Sequence, residues 1–262
     1  MTTLTAVLLS IGLFLGMLLG LEAGLLVGLR RGVQSRDGAG PGFIALGGAL
    51  FALLGLLVAF SFSGAAARFE AKRHLIVDEA TAIEAAYARI DLLPAAAQPV
   101  LREKFRNYAD ARLAVYDKLP DMKAASADMD RAVALQEEIW ELAVSACREV
   151  SSQASVHLVL SSVGALADVR TVRTAALRAH APGIIFALLA VVALVCSFLA
   201  GFDASGRKTR SWVHSIGFAA VLAISFYVIL DLEYPRVGLI RLSADDQVLV
   251  DVRHEMKLPN SR

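Results

Sequence analysis

Four apolar blocks, residues 4–29, 43–67, 183–202 and 212–232, constrain this chain more than anything else in it. At about 1.5 Å per helical residue, each is long enough to cross about 30 Å of hydrocarbon. Lipid offers no partner to an open backbone, so each block is expected to span as a helix. Composition agrees: 56% of the 262 residues are hydrophobic and mean hydropathy is +0.58, whereas soluble domains average about 45–50% apolar. The first block reads as a retained span and not a signal peptide. It has no basic leading segment, its apolar core is too long, and no small-residue cleavage site follows.

Short linkers rich in turn formers and basic residues join the blocks in pairs, residues 30–42 and 201–211. Two antiparallel hairpins follow, with both short loops on one membrane face and the N-terminus, the middle region and the C-terminal tail on the other. The expected architecture is therefore an all-α membrane protein: four transmembrane helices with a helical extramembrane domain inserted between spans two and three. The corresponding segments are an N-terminal hairpin (1–67), an amphipathic helical domain (68–182), a C-terminal hairpin (183–235) and a tail (236–262).

Within the first span Gly12, Gly16, Gly20, Gly24 and Gly28 recur at every fourth position. Such a smooth stripe lets another backbone approach closely, in the same chain or in another. Glu22 lies about 12 Å inside Arg30 along that helix. A carboxylate in a membrane is costly and calls for a partner, and His214 or Arg210 enters from the same side.

The second block runs without a breaker from Leu54 through Arg68 to Asp91, so one helix is expected to leave the bilayer at Arg68 and continue into water. Beyond Arg68, Phe69, Ile76, Ile83 and Ile90 recur every seven residues, with Ala80 and Tyr87 on the same face. Pro94 and Pro99 mark a turn. The next helix places Leu101, Phe105, Tyr108, Leu113 and Tyr116 on its apolar side and stops before Pro120. Asp121 is the expected N-cap of a third helix, which carries Met129, Ala132, Leu135, Ile139, Leu142 and Ala146 and is bent or broken at the Ser-rich residues 151–155. Trp140 on that helix is expected in its core.

A net charge of +1 and sparse aromatics argue against nucleic acid as a partner. The chain contains no His-Glu-x-x-His, Gly-x-Ser-x-Gly, phosphate-binding glycine loop or Cys-x-x-Cys. Its five histidines share no metal-ligand spacing. No catalytic residue, cofactor or metal site is therefore expected. Cys147 falls in an amphipathic helix and Cys196 in a membrane span, so no structural disulfide is expected between them.

At the end of the second span, Phe60, seven intervening residues, then Arg68-Phe69 and Glu70-Ala71-Lys72 resemble the bestrophins. In that family an aromatic residue precedes an Arg-aromatic-aromatic-Glu run by the same distance. At the end of the fourth span, Asp231-Leu-Glu-Tyr-Pro235-Arg-Val-Gly238 resembles a signature of a bacterial membrane family called bestrophin-like. This chain has one aromatic after Arg68 where bestrophins have two, and no acidic cluster of the calcium-clasp kind.

The resemblance implies a homo-oligomeric ring, of five subunits, with the second span lining an anion path. Inorganic anions would be the transported species, in a bacterial inner membrane with the helical domain cytoplasmic. By the family's spacing the constriction falls on Phe60, Leu56 and Ala52, although Ala52 is small. Leu54, Val58 and Phe62 form a bulkier stripe one face around. Arg68, Lys72 and Arg73 would gather anions at the pore mouth, or act as ordinary positive flanks that bind lipid phosphates. Asp231 and Glu233 end the fourth span on the side where Arg68 and Lys72 leave the second, so an interfacial ion network between those spans is expected. Basic residues in the short loops favour those loops inside, opposite to the family's orientation, which is the one adopted. The competing reading is a membrane-anchored helical interaction or sensory module without transport activity.

Overall fold

The computed structural model describes residues 3–30, 41–118, 121–205, 212–234, 239–240 and 246–256. All regular structure among them is helical: α1 (Thr3–Arg30), α2 (Pro41–Ala88), a 3₁₀ turn (Arg89–Leu92), α3 (Gln98–Lys118), α4 (Met122–Cys147), α5 (Gln153–Arg178), α6 (Gly183–Ala204), α7 (Trp212–Glu233) and α8 (Gln247–Glu255). Four helices, α1, α2, α6 and α7, are long and apolar enough to cross a membrane. The loops read as hairpin connections lie mostly outside the described residues, as do Pro120, Arg210 and Pro235.

Local chemistry accounts for the helix ends. Pro41 opens α2 at a position where a missing N–H costs nothing. The 3₁₀ turn closes at Leu93, whose extended backbone (φ −93°, ψ 162°) is what the following Pro94 requires. Asp121 caps α4 as its sequence context predicts, accepting from the backbone N–H groups of Lys123 and Ala124 at 3.0 Å. The serine-rich stretch does break the helix: α4 stops at Cys147, and Ser152 caps α5 by accepting from the Ser155 N–H at 3.2 Å.

The chain divides into two compact units, residues 1–69 with 180–240 and residues 70–179 with 241–262. The first holds α1, the membrane part of α2, α6 and α7. Met17, Leu54, Ala65, Ala193, Cys196, Ala219 and Ile229 are buried in its core. Edge-on ring contacts tie α2 to α7 (Phe51–Phe218, centroids 5.5 Å) and α6 to α7 (Phe186–Phe226, 6.2 Å). The glycine stripe of α1 packs within the chain, against α6. A Cβ added at Gly24 would overlap the Phe198 carbonyl, and one at Gly28 would overlap Ser205. From the other side, a Cβ at Gly201 of α6 would overlap the Leu21 carbonyl. A Cβ added at Gly12, at the far end of the stripe, would meet nothing within 4 Å among the described residues.

The second unit packs the remainder of α2 with α3, α4, α5 and α8. Ile76, Ala80 and Ile83 of α2 and Ile90 of the following 3₁₀ turn form one buried stripe, as the seven-residue spacing predicts. Three expectations change here. Leu113 is only half-buried, and its place in the α3 core is taken by Arg112, which lies four residues from both Tyr108 and Tyr116 and so shares their face. Trp140, expected in the core, is 44% exposed, because Ile139 and Ala143 already occupy the inward face of α4. The stretch read as a tail contributes α8, which docks on α3: Arg253 grips Asp110 with two hydrogen bonds of 2.7 and 2.8 Å, and Tyr87 donates to the Met256 carbonyl at 3.2 Å. Cys147 and Cys196 are separate buried thiols.

Candidate functional site

The membrane part of α2 presents a long uncovered face. Only 6% of its most apolar window is buried, against 22–28% for the other three spans. Ala52, Leu56 and Phe60, one turn apart, all lie on that face, with Leu56 51% and Phe60 68% exposed. Leu54 instead packs into the core of the first unit and Val58 is half-buried, so of the alternative stripe only Phe62 is exposed. Leu54 and Val58 therefore hold α2 in its bundle, whereas Ala52 and Leu56 face away from it and Phe60 borders a groove against Ile185 and Leu188 of α6. Ser63 shares the outer face and Ser61 is half-buried.

Where α2 reaches the expected membrane boundary, Arg68 meets Glu233 at the end of α7. The guanidinium donates from Nε and Nη2 to the carboxylate at 2.7 to 3.1 Å. The Arg68 side chain is 36% exposed and that of Glu233 fully buried. Glu233 also accepts the Ala181 backbone N–H at 2.6 Å, which fixes the start of α6, and His180 Nδ1 stands 3.9 Å away. The His180 and Tyr234 rings lie 4.5 Å apart beside it. Asp231, expected in the same network, has other work. It accepts the N–H groups of Leu239 and Ile240 at 3.0 and 2.8 Å and the Tyr227 hydroxyl at 3.2 Å.

Removing Arg68 would leave the fully buried Glu233 carboxylate without its charge partner, which is costly. Arg68→Glu is expected to abolish recovery of folded protein, and Arg68→Glu with Glu233→Arg to restore part of it, as read by monodispersity in detergent. Recovery stays partial because an arginine at 233 cannot accept the Ala181 N–H. A double variant no better than the single one would refute this role for the pair.

Of the other cations singled out on α2, Lys72 is 8% exposed, whereas the Arg73 side chain is 52% exposed and stands 3.8 Å from Glu70. Glu22 is half-buried on α1. Among the described residues no three His, Cys, Asp or Glu side chains gather as a metal site.

The second unit contains a charge cluster that the sequence reading did not single out. Glu79 of α2 is fully buried and meets Arg112 of α3 and Arg173 of α5, whose side chains are each 3% exposed. Arg112 engages both carboxylate oxygens, one of them at 3.1 Å, and Tyr116 donates to Oε2 at 2.7 Å. The Arg173 guanidinium lies over the Tyr116 ring at 3.8 Å and reaches Asp246, at the start of α8, at 3.3 Å. Burial alone would raise the Glu79 pKa. The two guanidiniums and the hydrogen bonds from Arg112 and Tyr116 outweigh it and hold the carboxyl below its ordinary value. Tyr116 and Tyr108 are pushed up, first by burial and then by the Glu79 charge. The signal was present: Glu79 falls on the Ile76–Ile83 stripe, and Arg112 falls between Tyr108 and Tyr116. Charged residues on otherwise apolar faces must find each other.

A family model described as Bestrophin-like domain matches residues 18–246. No curated protein and no solved structure matches the chain.

Proposed function

We propose that this chain, which belongs to the bestrophin-like family, is one subunit of an oligomeric ion channel that conducts anions, with α2 lining the pore. The observation that carries this reading is the uncovered face of α2. Ala52, Leu56 and Phe60 stand in line on the span that its own bundle covers least. In a ring of five subunits these side chains would converge on the axis as an apolar neck, which gates by excluding water when it is narrow. Arg68, Lys72 and Arg73 follow on the same helix at the pore mouth. Arg68 is anchored by Glu233, so positioning is its first task, and the more exposed Arg73 would attract anions more freely. The protein is a multi-pass membrane protein by its four apolar helices and its family. The proposal places it in a bacterial inner membrane with the second unit cytoplasmic and the lipid bilayer as its immediate partner.

Native mass of the detergent-solubilised complex, together with chloride flux from liposomes, tests this directly. A pentamer that releases chloride is expected, with Phe60→Ala raising the flux by widening the neck. A monomer or dimer, or a pentamer whose flux ignores Phe60 and Leu56, would remove the basis for a central pore on α2.

A further inference from the structure

Between α4 and α5 of the second unit lies a groove of about 330 Å³, with Gln136, Glu137, Trp140 and Glu141 on one wall and Val163 and Arg170 on the other. Small-ligand pockets run from about 300 to 1,000 Å³, so this one suits a small molecule. Its polar groups are unsatisfied in a complementary way. Gln136 is only 6% exposed, yet its amide oxygen accepts no hydrogen bond among the described residues. On the other wall the buried Nε of Arg170 has no acceptor among the described residues. Buried polar atoms left unpaired cost about 1–3 kcal/mol each, so two lining the same groove are an expensive arrangement for packing alone.

The surrounding side chains narrow the chemistry. Trp140 is 44% exposed at the lip, where its indole face can receive an alkylammonium head. Glu137 and Glu141, one turn apart, are exposed and make no ion pair among the described residues, whereas their neighbour Glu138 is paired with Lys104. The groove thus offers two carboxylates and an aromatic face to a cation, with the Gln136 amide oxygen and the Arg170 Nε–H unpaired within the residues of its walls. A simple anion would be repelled by Glu137 and Glu141. A simple cation would leave the Arg170 Nε unpaired.

We propose that this groove is a binding site for a small zwitterion of amino-acid type. Its ammonium lies between Trp140 and the Glu137 and Glu141 carboxylates, and Gln136 turns its buried Oε1 outward to accept one N–H. Its carboxylate accepts from Arg170, and its side chain rests on Val163 and Ala167. The site stands independently of whether α2 lines a pore.

The test uses the full-length protein in detergent with Trp212→Phe, which leaves Trp140 as the only one of two tryptophans. Fluorescence is titrated with L-alanine, L-leucine and L-glutamine, and with tetramethylammonium and acetate as the two half-ligands. Saturable binding of at least one amino acid is expected, with neither half-ligand approaching its affinity. Glu137→Gln with Glu141→Gln, both at exposed positions, is expected to weaken binding at least tenfold without changing the thermal melt. Gln136→Met is expected to weaken binding and to raise the melting temperature, since it removes an unsatisfied oxygen. No saturable response to any amino acid, or unaltered affinity in the variants, would overturn the proposal. So would tetramethylammonium binding equally well with Arg170→Gln having no effect.

Discussion

Glu79→Gln is expected to destabilise the second unit by about 3–5 kcal/mol, the cost of removing one partner from a buried charge pair. The amide keeps the shape of the carboxylate but leaves Arg112 and Arg173, each 3% exposed, facing a neutral group. Exposed Glu84, on the same helix, supplies the control, and Glu84→Gln should stay within about 0.5 kcal/mol of the parent. Thermal unfolding in detergent reads both. A Glu79→Gln melt that coincides with the parent's would show that the cluster contributes no net stability.

The same carboxylate sets a pH dependence. Its folded pKa lies below its ordinary value of 4.5. The contribution of the ionised form is therefore complete above pH 4.5 and is lost as pH falls through the lower folded value. The parent's melting temperature should drop in that acid window more steeply than that of Glu79→Gln, so the two should converge at low pH. Because α2, α3 and α5 all reach this one carboxylate, and Arg173 carries it on to Asp246, a loss of the cluster is expected to loosen α8 as well.

Gly24→Ala and Gly201→Ala are the second pair of large effects. In each case the added methyl meets backbone, the Phe198 carbonyl from Gly24 and the Leu21 carbonyl from Gly201. Backbone cannot rotate aside as a side chain can, so α1 and α6 must separate. Overpacking of this kind costs about 1–3 kcal/mol or more. The two changes act on one interface and should not add. Gly12→Ala, with open space around it, should be neutral or slightly stabilising, since alanine is the better helix former. Monodispersity and melting temperature in detergent separate the three variants. Equal behaviour of Gly24→Ala and Gly12→Ala would mean that the two helices do not approach along this stripe.

These two effects mark the division between what could be read locally and what could not. The four spans follow from uninterrupted apolar length, and that signal needs no neighbour. Asp121 and Ser152 cap the helices that follow them because a side-chain oxygen three residues ahead of free N–H groups acts within its own turn. The Ile76, Ile83 and Ile90 stripe is a property of helical periodicity. Phe60 and Leu56 were singled out through the resemblance to bestrophins, and they are exposed on α2.

What lay beyond reach depends on residues far apart in the chain. The glycine stripe showed that some backbone would come close, but α6, more than 160 residues on, is its partner only in the folded bundle. Helical spacing already places Glu79 on the Ile76–Ile83 stripe and Arg112 between Tyr108 and Tyr116, but that the two meet, with Arg173 as a third partner, depends on how the helices pack. Trp140 was placed in a core by its composition, and it stands at a groove because Ile139 fills the inward position. The sequence by itself determined an all-helical membrane protein with four apolar spans, the Asp121 cap and the apolar stripe of Ile76, Ile83 and Ile90. Only the tertiary structure decided which charges pair, which face of α2 is left uncovered and which polar groups go unsatisfied. Hydropathy and capping are properties of single helices, whereas electrostatic pairing and close packing belong to the spaces between them.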